Sequence, residues 1–256
     1  MLRRLFLFGV GILGIHIAGS SQTAAGFSPE NYRLIFQDDF NGSELDTSLW
    51  NYRQENVLRH GSVVLRANVI VGDGMVRLVA GREGNVYSSA MISTENSHWW
   101  KYGYFECRAR LNRSPGPTAS FWLQSPAIGA TNDPGKDGTE VDVFEYNLNS
   151  GGKDLIQHNL HWNGYGANHQ TTGSKEHIEG ISEGWHVFGL LWTSGEYIVY
   201  VDGVERARTA KAVSHREEYV VLSNLITDDG FGGDRSAGTY PDYFDVDYVK
   251  IYAPKP

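Results

Sequence analysis

Apolar residues in this chain come in short runs that alternate with polar ones, and the runs are separated by turn residues. Phe105, Cys107, Ala109 and Leu111 point one way along Tyr102–Leu111, and Glu106, Arg108 and Arg110 point the other. Gly72-Asp73-Gly74 separates Val69-Ile70-Val71 from Met75–Val79, and Asp202-Gly203 separates Tyr197–Val201 from Val204; both are hairpin signals. Ser114-Pro115-Gly116-Pro117 is a further turn. Almost nowhere do apolar residues recur at helical spacing. A chain of this kind buries its strands only by closing two sheets on each other, so the pattern predicts an all-β sandwich.

The 256 residues, 41% hydrophobic, suit one domain with a substantial core. The 30 glycines and 12% aromatics fit a turn-rich β protein. A formal charge of −8 argues against nucleic acid as a partner. Arg3-Arg4 followed by the apolar run Leu5–Ala18 and the small residues Thr23-Ala24-Ala25 reads as a signal peptide over residues 1–25. The expected location is therefore secreted or periplasmic, with no membrane attachment after its removal. With Cys107 alone, no intrachain disulfide can form, which together with export leans bacterial; the alternation makes Cys107 a core residue. Residues 26–256 read as a single domain, expected to be a monomer.

The chemistry is expected at Thr139–Tyr146. Glu140, Asp142 and Glu145 fall within six residues, interleaved with Val141, Val143 and Phe144. On a strand, Glu140 and Asp142 share a face, while Glu145 falls on the opposite one unless one extra residue, a bulge at Val143-Phe144, returns it. Like charges so close repel, and at least one proton should be held above its ordinary pKa. Retaining glycoside hydrolysis needs such a pair: an ionised carboxylate that attacks the anomeric carbon, and a protonated one about 5–5.5 Å away that gives its proton to the leaving oxygen. The residues alone do not say which glutamate does which.

Glu140-x-Asp142-x-x-Glu145 resembles the signature of glycoside hydrolase family 16 in its bulged form. Similar pieces run in order from about Phe36 to Tyr252: Asp38-Asp39-Phe40-Asn41-Gly42, Gly103-Tyr104-Phe105-Glu106, Trp185-His186-x-Phe188-Gly189, the Asp202-Gly203 hairpin and Val246-Asp247-Tyr248-Val249-Lys250-Ile251-Tyr252. The resemblance implies a concanavalin A-like β-jelly roll of two antiparallel sheets with an open concave cleft. It implies a retaining, endo-acting enzyme on a β-linked polysaccharide, with no cofactor needed for catalysis. In its terms Glu140 is the nucleophile, Glu145 the general acid/base, and Asp142 tunes Glu140.

Trp122 matches the family's cleft tryptophan and is the first candidate for stacking on a sugar. Trp100, Trp162, His161, Asn224 and Arg110 are further substrate-binding candidates; at most one of the adjacent Trp99 and Trp100 should reach the cleft. Trp185 and Trp192 are expected in the core. A structural calcium, frequent in the family, would fall to Asp39 and Asp247. The segment Ser120-Phe121-Trp122-Leu123 is more like members that cut marine galactans (agar, porphyran, carrageenan) than those that cut β-1,3-glucan, so a galactan is slightly favoured. Three alternatives remain open: a glucan substrate, transglycosylation, and a lectin-like module that binds glycan without cutting it. Lectin-like relatives typically lack one of the glutamates, and both are present here.

Overall fold

The structure is a computed structural model, described for residues 27–149 and 152–256. The expected signal peptide lies outside the described residues. Among the described residues no helix is long and apolar enough to cross a membrane. The strands run in chain order as β1 (Tyr32–Asp38), β2 (Asn51–Tyr52), β3 (Leu58–Arg59), β4 (Ser62–Val64), β5 (Val69–Gly72), β6 (Met75–Glu83), β7 (Val86–Ser93), β8 (Gly103–Arg110) and β9 (Pro117–Gln124). A one-turn helix, α1 (Pro134–Asp137), precedes β10 (Glu140–Tyr146), β11 (Leu155–Trp162), β12 (Gln170–His177), β13 (His186–Trp192), β14 (Tyr197–Val201), β15 (Val204–Thr209), β16 (Tyr219–Ile226) and β17 (Asp242–Pro254).

These strands form the two expected layers. One sheet runs β12-β11-β10-β9-β16-β7. The other runs β15-β14-β13-β8-β17; beyond β17 lie β6 and then β5 at one end, and β1 at the other. All these pairings are antiparallel. At one edge, β6 pairs with β7 and carries the ladder from one layer to the other. At the opposite edge a cavity of about 460 Å³ opens between β11–β12 and β14–β15.

The turns follow the residues that demanded them. Asp73 and Gly74 take φ of 54° and 70°, and Asp202 and Gly203 take 50° and 76°. Both central residues at positive φ make the tight two-residue hairpins that Asp-Gly favours. The alternation of β8 also holds: Phe105, Cys107 and Ala109 are fully buried, and burial pushes the Cys107 thiol up, so it is an inert core residue.

The core lies between the layers. Val141, Val143, Phe144 and Tyr146 from β10 enter it, and Phe144 packs on Phe188 with ring centroids 4.1 Å apart. Val143 and Phe144 are consecutive, yet both are fully buried. Consecutive residues of a regular strand point to opposite faces, so the entry of both into one core cluster is the mark of a bulge. Truncating Phe144 to Ala would cost about 3–5 kcal/mol, and would loosen the irregularity on which the next strand positions depend.

Candidate active site

The register shows the bulge on both sides of β10. Against β9, Asp142 pairs with Trp122 and Phe144 with Phe121; against β11, Asp142 pairs with Asn159 and Glu145 with Gln157. Val143 has no partner in either ladder. This one extra residue resets the parity, and Glu145 emerges on the same outer face as Glu140 and Asp142.

All three carboxylates line one cleft of about 660 Å³ on the outside of the β9–β10–β16 sheet. Ser120, Trp122 and Gln124 of β9 and Tyr219, Ser223 and Leu225 of β16 form its floor. Ser125, Pro126 and Ile128, from the loop ahead of β10, form part of its rim, as does Tyr165.

Each carboxyl group is held differently. Glu140 accepts hydrogen bonds at Oε2 from Gln124 Nε2, at 2.9 Å, and from the Tyr165 hydroxyl. Glu145 accepts from Asn159 Nδ2 at 2.6 Å. That contact needs Gly173 beside it on β12, because a Cβ there would sit 2.1 Å from Asn159 Oδ1. Asp142 is 5% exposed, and its Oδ2 has no hydrogen-bond partner among the described residues. His161 Nε2 lies 3.5 Å from that oxygen, and His161 Nδ1 is 2.9 Å from His169 Nε2 in a stacked pair.

Burial, then the charge of Glu140, raises the pKa of Asp142 well above the carboxylate range. Glu145 is pushed up to about 8, first by burial and then by the charge of Asp142, with the Asn159 hydrogen bond opposing. A carboxyl group in this state keeps its proton at neutral pH and can donate it. Atoms of Glu140, Asp142 and His161 also lie within 4.8 Å of one another, a spacing a cation could bridge. A cation there would occupy the lone pairs and displace the proton that acid–base chemistry at these carboxylates uses.

The other expected residues are scattered. Trp122 is in the cleft but only 6% exposed: its Nε1 donates to Ser223 Oγ at 3.1 Å, and the Arg53 guanidinium lies 5.5 Å from its ring. Trp100 is in the core, edge-on to Phe36 and Phe105, and does not reach the cleft. Trp162 shares the inward parity of Ile156 and Leu160 and packs against the core. Asn224 is fully buried and donates to Leu78 O at 3.0 Å; its neighbours Ser223 and Leu225 are the cleft-facing residues. Arg110 lies on the outer face of the other sheet, bound to Asp245 at 2.5 Å. Trp192 is buried as expected, but Trp185 is half-buried on that outer face, with Arg108 and Arg110 each 5.1 Å from its ring.

The calcium expectation does not fit the side chains. Asp247 is taken by the Arg108 guanidinium at 2.5 Å and Asp39 by the Gln37 amide. A cation would have to displace a cation from Asp247.

The residues not anticipated are Arg53, Gln124, Asn159, Tyr165 and Tyr219, and Arg59 is a loop arginine that the sequence could name for a sulfated substrate but not place. Parity could have found two of them: Gln124 is two residues past Trp122, and Asn159 two before His161. Arg53 binds Glu95, Gln124 and Tyr219 at 3.1, 2.8 and 3.0 Å. Arg59 donates to Gln54 at 3.1 Å, and its buried Nε has no partner among the described residues. Both lie in the irregular stretch after Trp50, and Tyr165 in a loop, where no periodicity assigns a face.

The model of the glycosyl hydrolases family 16 matches residues 44–237, three quarters of the chain, and encloses the whole carboxylate strand. The chain belongs to family 16. It is thus a glycoside hydrolase on a jelly-roll fold. A glucan endo-1,3-beta-glucosidase A1 of Niallia circulans is 27% identical over 86% of this chain, which spans 37% of that relative's length. A beta-glucanase of Rhodothermus marinus is 26% identical over 98% of this chain and 94% of its own length. The fold matches that of a laminarinase from Flavobacterium sp. UMI-01 with a TM-score of 0.73 and 24% identity, over 86% of this chain and all of that one.

Proposed function

We propose that this family 16 member is an exported, retaining endo-β-glycosidase that cuts β-1,3-linked glucan by double displacement, acting as a monomer. Glu140 is the nucleophile, Glu145 the general acid/base, and Asp142 the group that sets their proton balance. The observation that carries this reading is the bulge, which gathers three acids in one cleft with no Lys or Arg salt bridge to any of them among the described residues.

In the first step a Glu140 oxygen bonds to the anomeric carbon, the glycosidic C–O bond breaks, and Glu145 gives its proton to the leaving oxygen. In the second, Glu145 takes a proton from water, the resulting hydroxide attacks the anomeric carbon, and Glu140 leaves. Two inversions give retention. Internal cleavage follows the relatives, of which the Niallia circulans protein is named a glucan endo-1,3-beta-glucosidase.

The choice of glucan follows the relatives, and so departs from the galactan preference drawn from Ser120–Leu123. Beta-porphyranases D and E of Zobellia galactanivorans are 26% and 25% identical, over 43% and 68% of this chain; the glucan-named relatives above match over more of it. A sulfated galactan is the second reading, favoured by the guanidinium of Arg59 in the lining of the cleft.

The test is incubation of the protein and Glu140→Gln with laminarin, mixed-linkage glucan, agarose, porphyran and κ-carrageenan. Reducing ends, product sizes and the anomer first released are followed. Laminarin oligosaccharides that appear first as the β anomer, and are absent with the variant, are the expected result. Cleavage of porphyran alone selects the second reading. Retardation of the protein by a polymer it never cuts would make it a binding module.

A further inference from the structure

The inward face of β11 reads Ile156, His158, Leu160, Trp162. Three of these are ordinary core residues; His158 is not. It is 4% exposed, in a position where a leucine would pack without polar atoms to satisfy. Its Nδ1 lies 2.6 Å from the carbonyl oxygen of Val143. Val143 is the residue without a register partner on either side of β10, so its carbonyl sits where the ladder is interrupted; the residue is fully buried, and His158 stands between it and the cavity among β11, β12, β14 and β15. A buried carbonyl needs a donor. Because a carbonyl only accepts, Nδ1 carries the hydrogen, and Nε2 is left as a bare acceptor with no partner among the described residues.

We propose that His158 is a positioning residue for the reaction: by capping the carbonyl of the bulge residue Val143, it holds the one-residue offset that carries Glu145 to the cleft face. Regular pairing would use the Val143 carbonyl in the ladder and turn Glu145 toward the core, since a shift of one residue exchanges the faces. The imidazole makes the bulged register the satisfied one. Burial holds its pKa down to about 4, so it caps the carbonyl without adding a charge beneath the carboxylates. The inference rests on the reading of Glu145 as general acid/base.

The test compares His158→Leu, which removes the donor, His158→Gln, whose amide reaches the Nε2 position, and His158→Asn, whose amide sits where Nδ1 was. Glu145→Ala is the reference. Two substrates are used: laminarin, whose sugar leaving group needs a proton, and 2,4-dinitrophenyl β-laminaribioside with azide, whose leaving group needs none and whose acceptor needs no base. The Leu and Gln variants should lose roughly 10- to 100-fold in kcat on laminarin, a part of the 10²–10⁴ that a general acid supplies. Their KM should stay within about 2-fold and their aryl glycoside rates within about 3-fold, and the Asn variant should stay near wild type on both substrates.

Equal losses on both substrates, or an Asn variant as poor as Leu, would reduce His158 to a packing residue and overturn the proposal. Unchanged kcat for Leu and Gln, with Glu145→Ala selectively impaired on laminarin, would overturn it while sparing the role of Glu145. A Glu145→Ala enzyme without that selective loss would remove the role itself. Should the wild type leave laminarin intact, the crystal structure of His158→Gln decides. Glu145 turned away from Asn159, with Val143 paired, supports the proposal; an unchanged bulge refutes it.

Discussion

On the outer face of the sheet that contains β17, Asp245 lies between two guanidiniums, Arg77 at 2.6 Å and Arg110 at 2.5 Å, and Asp247 holds Arg108 at 2.5 Å. On the outer face of the other sheet, Glu140, Asp142 and Glu145 crowd together. Amides, a phenol and a histidine stand around them, and the nearby arginines turn to other partners: Arg53 to Glu95, Gln124 and Tyr219, Arg59 to Gln54. Both faces put carboxylates on β-strands at similar burial. Where an acid has a cation, as Asp245 and Asp247 do, the charge is settled and the group stabilises the sheet; Glu106 of that face has the Tyr248 hydroxyl instead, and burial raises its pKa. Where acids meet only one another and neutral donors, protons are retained above their usual range, as at Glu145, and the group is available for proton transfer.

The sharpest way to break this comparison is to neutralise one acid on each face. Glu140→Gln should lower turnover of the cleaved polysaccharide by roughly 10³-fold or more, since a nucleophile has no substitute, with little change in melting temperature. Asp245→Asn should do the reverse. It leaves two guanidiniums facing each other and costs about 1–3 kcal/mol, discounted because both arginines are about a third exposed, while activity per folded molecule stays near wild type. Thermal denaturation and initial rates, measured on both variants, check the pair. A catalytic defect in Asp245→Asn equal to that in Glu140→Gln would end the distinction.

Smaller effects sharpen it within the cleft. A proton donor must be protonated, so kcat/KM should fall as pH rises through about 8, the value to which burial and Asp142 push Glu145. Asp142→Asn removes the second of those causes and should move this limb to lower pH. Asn159→Ala removes a hydrogen bond that favours the ionised form and should move it to higher pH, with a loss of roughly 10-fold in rate from a less well-held acid. Opposite displacements of the limb in pH–rate profiles are the expected outcome; displacements in one direction would mean that the limb belongs to another group. Stability carries the same sign. A carboxyl raised on folding contributes fully below its unfolded pKa and loses that contribution as pH rises through about 8, so Glu145→Gln should gain on the native protein most clearly in alkaline solution.

The strand pattern and turn chemistry made the sandwich legible, and the three-residue gap between Asp142 and Glu145 made the bulge legible, because both are periodicities and a break in period is visible in one dimension. What parity cannot say is which of two sheets a face belongs to. Arg110 points away from the core as read, but on the layer opposite the cleft. Asn224 and Trp162 were one position out of phase with the cleft, beside Ser223 and His161. Trp100 follows Trp99 on an irregular approach where the alternation that excluded one of them could not choose between them. Arg53, Arg59 and Tyr165 come from segments with no period at all, and their faces are set by contacts over long sequence distances, such as Arg53 to Tyr219 and Tyr165 to Glu140.

The central claim, that the unpaired acids on the bulged strand do the chemistry, is tested most directly by trapping. The protein would be incubated with a 2-deoxy-2-fluoro β-laminaribiosyl fluoride, which slows both steps and lets the glycosyl-enzyme accumulate. Intact mass and peptide mapping then locate the adduct. The account predicts one 2-deoxy-2-fluoro-laminaribiosyl group per chain, esterified to Glu140 with loss of fluoride and absent from Glu140→Gln. An adduct on Asp142 or Glu145, or on an acid of the opposite face, would contradict it.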